Sequence, residues 1–212
     1  MGSQVYNSGS GNWTCPAGVT SVTVKVWGPG GSGGDITPSY DGAGGGGGGG
    51  YSQKTIAVTP TTEYSYSVGA GSSGATSWFY GVTTVLANGG ANGVNDVEAG
   101  AAGGSVTGAY GDIKTAGANG TSGGYDSEYY YAWGGTGGAS PNGGAGGAGG
   151  WGDDDYAIEG FSTPGTAPGG GGGGAGHSNE YGDYTGSAGA AGRVLIEWAD
   201  AIAIPFQAIC VM

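Results

Sequence analysis

GGTGGASPNGGAGGAGGW, residues 134–151, holds a three-residue register through six triplets, with paired glycines in every triplet except Ser140–Pro141–Asn142. Three residues is the turn of a polyproline II helix, which rises about 3.1 Å per residue and forms no internal hydrogen bonds. A backbone in that conformation must find its partners laterally, because buried N–H and C=O groups are almost always paired. With glycine on two of three edges, neighbouring threads can approach until they bond each other. Only the third edge is left for side chains, here Thr136, Ala139, Asn142, Ala145, Ala148 and Trp151. The uninterrupted runs Gly44–Gly50 and Gly169–Gly174 extend the pattern, and the expectation is a packed bundle of polyglycine II helices.

A flexible linker is the bland alternative for 57 glycines in 212 residues. Against it stand 14 Tyr, 6 Trp and 3 Phe spread through the chain, since disordered segments are poor in aromatics. A collagen triple helix is excluded, because there are only 8 Pro and the triplet register is repeatedly broken. Val, Ile, Leu and Phe are scarce, so a conventional core must be small, and ordering glycine carries the largest backbone entropy cost of any residue. Lateral hydrogen bonding has to offset that cost. Cys15 and Cys210, the two cysteines, fit buried free thiols better than one disulfide.

The formal charge of −12 sets 16 acidic residues against Lys25, Lys54, Lys114 and Arg193. Such a balance repels phosphate backbones and argues against nucleic acid as a partner. No run of about 20 apolar residues predicts a membrane span. The N-terminal MGSQVYNSGSGNW carries neither a basic n-region nor an apolar h-region, so no secretory signal is expected there.

Strand signals sit at the two ends. Val19–Trp27 alternates, with Val22, Val24 and Val26 on one face, and is a half-buried strand. Tyr51–Val58 and Glu63–Val68, joined through Pro60, read as a hairpin. Ser77–Leu86 reads as a further strand with a bulge or turn at Gly81, and Arg193–Trp198 as the last. The fold class expected is mainly β: a small, jelly-roll-like β-sandwich over residues 1–198, with the glycine-rich bundle inserted at about 89–192. Residues 199–212 (ADAIAIPFQAICVM) break the composition. Too short to cross a bilayer, this tail exposes Ile202, Ile204, Phe206, Ile209 and Val211 to a neighbour or to its own sandwich, and is expected to be an assembly element.

Catalytic constellations are nearly empty. His177 is the single histidine and lies beside a glycine run, where a surface loop is expected. Asp153–Asp155 lack the ligand spacing of a calcium loop, and no phosphate-binding glycine motif occurs. An enzyme, a cofactor and a metal site are therefore not expected. The non-glycine islands are more informative: YDSEYYYAW at 125–133, WGDDDYAIEGF at 151–161 and NEYGDY at 179–184 mix rings with carboxylates. Tyr125, Tyr129, Tyr130, Tyr131, Trp133, Trp151, Asp154 and Tyr156 are the receptor-contact candidates, because rings stack on sugar faces while carboxylates accept hydroxyl hydrogen bonds. The competing role is to seal the ends of the bundle.

Trp13–Gly28 (WTCPAGVTSVTVKVWG), the run Gly44–Tyr51, YSYSVGAG at 64–71, SWFYG at 77–81, ANGG at 87–90 and GRVLIEW at 192–198 occur in an order that resembles the glycine-rich domain of bacteriophage tail-fibre and other virion proteins. The resemblance spans about 190 residues and implies a β-sandwich bearing polyglycine II helices, with no catalytic residues to carry over. It also implies a place on the virion surface, as a tail-fibre or spike-type adhesin touching bacterial surface glycan or protein. Unlike larger fibre proteins, the chain is short and has no coiled coil, which keeps a capsid decoration or head-fibre protein open. A bacterial surface filament subunit is a third reading. The partners expected are other virion proteins and further copies of the chain, with a trimer favoured.

Overall fold

The structure, a computed structural model, describes residues 1–37, 42–129, 131–153, 158–177 and 182–199. Among these residues there is no helix, and all strand pairing is antiparallel. In chain order the strands are β1 (Gly2–Tyr6), β2 (Gly9–Thr14), β3 (Ser21–Trp27), β4 (Tyr51–Ala57), β5 (Glu63–Val68), β6 (Thr76–Phe79), β7 (Val85–Asn88) and β8 (Ile113–Thr115). Then follow β9 (Gly124–Asp126), β10 (Tyr131–Trp133), β11 (Trp151–Asp153), β12 (Ile158–Gly160), β13 (Gly176–His177), β14 (Gly182–Asp183) and β15 (Arg193–Trp198). Two larger sheets, β1-β15-β3-β4-β8 and β2-β5-β6-β7, share one hydrophobic core.

Strict alternation built that core. Val22, Val24 and Val26 of β3 are fully buried, and the register sets Val24 against Ile196 and Val26 against Val194 of β15. From the opposite sheet come Trp13, Tyr64, Phe79 and Val85. On the outer face Lys25 Nζ meets Glu197 Oε2 at 2.8 Å, an exposed pair worth about 0.2–1 kcal/mol. Cys15 is a buried free thiol whose S–H reaches the Val19 carbonyl at 3.4 Å, and burial pushes its pKa up. Cys210 lies outside the described residues.

Two expectations about pairing need correction. Tyr51–Val58 and Glu63–Val68 do not form a hairpin, because β4 pairs with β3 and β8 while β5 pairs with β2 and β6 in the other sheet. The Thr59–Thr62 link crosses between sheets instead, clasped by Cys15, whose N–H donates to the Thr62 carbonyl and whose carbonyl accepts from Thr61 N–H. This crossing lets Tyr64 and Val68 approach the valines of β3 from the far side of the core. Ser77–Leu86 is likewise two strands, and Gly81 (φ +84°) belongs to the turn between β6 and β7.

Between the strands, the glycine segments run as threads outside any strand or helix. Along Gly44–Gly50 the N–H groups donate in rotation at 2.7–3.0 Å: Gly44, Gly47 and Gly50 to Val97, Ala91 and Asn88; Gly45 and Gly48 to Thr121 and Ala118; Gly46 and Gly49 to Gly172 and Gly169. Three further segments donate to its carbonyls or to that of Ala43 just before it: Gly28, Gly31 and Gly34; Ala101 and Gly104; Gly138 to Gly46 and Gly135 to Ala43. This thread therefore has six neighbours, three accepting from it and three donating to it. Residues 169–175 repeat the arrangement, donating to Gly135 and Gly138, to Gly31 and Gly34, and to Thr163 and Thr166, while Ala43, Gly147, Ser187 and others donate back.

Only these two segments are unbroken glycine, and their surroundings explain it. Every residue from Gly44 to Gly50 and from Gly169 to Gly174 is buried. A Cβ on Gly47 would collide with the Ala102 carbonyl, one on Gly48 with that of Ala139 and one on Gly49 with that of Gly28. At the periphery the triplet edge reappears: Thr136, Ala139, Asn142, Ala145 and Ala148 are all exposed. Residues 134–150 are two antiparallel threads, however, bonded Gly134 to Gly150, Gly137 to Gly147 and Ser140 to Gly144, and reversing at Asn142 with φ +51°. The neighbouring segment 163–166 pairs with this edge through main chain and side chain together: Thr166 and Thr163 N–H donate to the Ala145 and Ala148 carbonyls, and their Oγ1 atoms accept from Ala145 and Ala148 N–H at 2.7 Å.

Candidate functional site

At one end of the threads the aromatic islands converge, and the threads dictate how. β9 continues residues 117–123, β10 leads into 134–140, β11 continues 144–150 and β12 leads toward Thr163. Thr121 donates to Thr136, Gly134 to Gly150 and Thr163 to Ala148, so the neighbour relations of the threads become the sheet order β9-β10-β11-β12. The pair β13–β14 extends the adjoining threads and packs beside this sheet.

Cross-strand register sorts the residues by face. Gly124, Trp133, Trp151 and Gly160 form one transverse row, and Asp126, Tyr131, Asp153 and Ile158 the next. Residues directly opposite share a face, as do residues two apart along a strand. Trp133, Trp151 and Tyr131 therefore stand together between Asp126 and Asp153. Tyr131 lies 5.9 Å from Trp133 with 22° between planes, and 6.3 Å from Trp151 with 31°. All three rings are half-buried. Glycines at the ends of the row make room for the indoles: a Cβ on Gly124 would stand 2.7 Å from Trp133 Cζ2, and one on Gly160 would strike the Trp151 indole. The opposite face carries Ala132 and Gly152, both buried.

Of the sequence candidates, Tyr131, Trp133 and Trp151 are brought together. Tyr125 sits in β9 on the opposite face, and Tyr129 lies in the β9–β10 turn, 60% exposed. The Asp126 Oδ1 accepts from Glu128 N–H at 2.9 Å and shapes that turn. Tyr130, Asp154 and Tyr156 lie outside the described residues, as do Ile202, Ile204, Phe206, Ile209 and Val211. Sequence reasoning placed Asp126 and Asp153 in the aromatic islands without naming either as a contact residue, and gave Gly124 and Gly160 no role; the short alternations GYD and WGD were the available signal. His177 is not a surface-loop residue: it is 8% exposed and stacks on Tyr184 at 3.9 Å, because β13 carries it into the cover of the thread end.

The charge distribution is polarised. Lys25, Lys54, Lys114 and Arg193, the only Lys and Arg of the sequence, all lie in the five-stranded sheet. Residues 124–184 hold half of the 16 acidic residues and no Lys or Arg. A second surface feature is an open groove of about 440 Å³ lined by Met1, Thr23, Lys25, Gln53, Glu197, Trp198 and Ala199, on the sheet from which the C-terminal residues depart.

The model of the glycine-rich domain family matches residues 6–199. The chain belongs to that family. No curated protein matches it.

Proposed function

From membership of the glycine-rich domain family, we propose that this chain is a non-enzymatic structural protein of a bacteriophage virion, a tail-fibre or spike-type adhesin that contacts the host surface. The observation carrying the proposal is the aromatic face of β9–β12, held at the end of a rigid array of threads. In this reading the threads are polyglycine II helices, supported by the rotation of hydrogen-bond partners every three residues, and the two core sheets are a jelly-roll-like sandwich. Function is argued from the site, since the fold alone would serve many roles.

Adsorption of the fluorescently labelled chain to a panel of bacterial cells tests it. Replacing Trp133 and Trp151 together by Ala is expected to lower adsorption by at least about tenfold, the scale of losing Trp anchors from the centre of a contact, with the melting temperature changed by only a few degrees. Undiminished adsorption, or none by the parent chain, would overturn the adhesin.

A capsid decoration or head-fibre role is the second reading, favoured by the abrupt apolar composition of residues 199–212. In both roles this segment assembles the chain into a homo-oligomer, a trimer in a fibre context, on the virion surface. Deleting residues 201–212 is expected to leave a folded monomer, whereas the full chain scatters light as an oligomer. A monomeric full-length chain would refute the assembly role.

A further inference from the structure

Resting on the adhesin reading of the same face, we propose that the β9–β12 sheet binds the pyranose rings of a neutral or amine-bearing polysaccharide and discriminates against anionic ones. The Tyr131 ring is within 22° of parallel to Trp133 and 31° to Trp151, at 5.9 and 6.3 Å, a separation of the order of one sugar residue. Gly124 and Gly160 back the two indoles with bare main chain, so each indole has one face against the sheet and the other turned away from it. The apolar C–H face of a pyranose fits such a surface, and amphipathic rings supply it at little cost in conformational entropy. Asp126 and Asp153 border the rings in the same row as Tyr131, where carboxylate oxygens can accept from sugar hydroxyls.

Charge selects among glycans. No Lys or Arg occurs from residue 124 to 184, and the cations that exist are gathered in the five-stranded sheet. A uronate, sialate or phosphate group at the face would meet acidic residues within a Debye length, about 8 Å at physiological salt. A sugar ammonium would instead be drawn both by carboxylates and by the faces of the indoles.

The test is an array of neutral, amine-bearing and anionic oligosaccharides probed with the intact chain, with tryptophan fluorescence titration of the ligands found. Binding of neutral or amino oligosaccharides is expected, at least about tenfold tighter than anionic ones, falling at least about tenfold in Trp151→Ala and unchanged in Tyr80→Ala, an exposed ring on the β6–β7 turn. Asp153→Asn, which keeps the residue's size and one acceptor oxygen but removes the charge, should weaken amino sugars more than neutral ones. A blank array, a preference for anionic glycans, or binding indifferent to Trp151→Ala overturns the proposal. If the array is blank while cells are still bound in a Trp151-dependent way, the glycan proposal fails and the adhesin stands with a protein receptor. If glycans bind as expected and no cell is adsorbed, the glycan proposal stands and the adhesin reading fails.

Discussion

Gly47→Val is expected to prevent folding, with a loss exceeding about 4–5 kcal/mol, the range reserved for severe steric or burial defects. Gly47 sits in the thread with six neighbours, donates to Ala91 and accepts from Gly31. A side chain there would collide with the Ala102 carbonyl. The collision partner is backbone, so it cannot be relieved by a rotamer change. Moving the 101–104 thread away would break its bonds to Gly45 and Gly48, each worth about 0.5–1.5 kcal/mol net and more if left unmade. Ala145→Val, by contrast, adds its methyls on the exposed edge and should change stability by no more than about 0.5 kcal/mol. Circular dichroism and thermal melts of the two variants decide the matter, and equal melting temperatures would refute the packing explanation.

This contrast was legible in the sequence because glycine period is a steric record: each residue that tolerates a side chain must face outward. The partners of each thread were not legible, since a glycine run has no side-chain pattern that could choose one neighbour over another. Triplet Ser140–Asn142, the one without glycine, marks the reversal, and its Pro-Asn pair is a turn signal. At the core, Val22, Val24 and Val26 announced their strand, whereas β2 (GSGNWT) did not, as Trp13 is its single large inward residue. Missing β2 left β5 without its true partner and made a hairpin with β4 look natural. The aromatic islands were visible by composition. Their convergence depended on thread order, and that exists only in three dimensions.

Phe79→Ala is expected to lower the melting temperature of the whole chain by on the order of 10 °C: about 3–5 kcal/mol for a buried Phe, at about 2–4 °C per kcal/mol for this size. Phe79 is fully buried, edge-on to Trp13 at 6.0 Å and stacked on Tyr64 at 6.1 Å. The loss should reach beyond the two sheets that enclose it. β7 runs directly into the threads, with Asn88 accepting from Gly50 N–H and its Nδ2 donating to the carbonyls of Ser105 and Thr107. On β3, Trp27 Nε1 donates to the Pro141 carbonyl at the thread reversal, 2.9 Å away. The Gly69–Gly192 bond ties the far side. An array whose threads carry almost no apolar side chains has little of its own to hold it once these anchors loosen, so sheets and threads should melt together. Calorimetry should therefore show a single transition displaced as a unit. Two separated transitions in the variant, one of them at the parent's temperature, would mean that the threads are stable without the core.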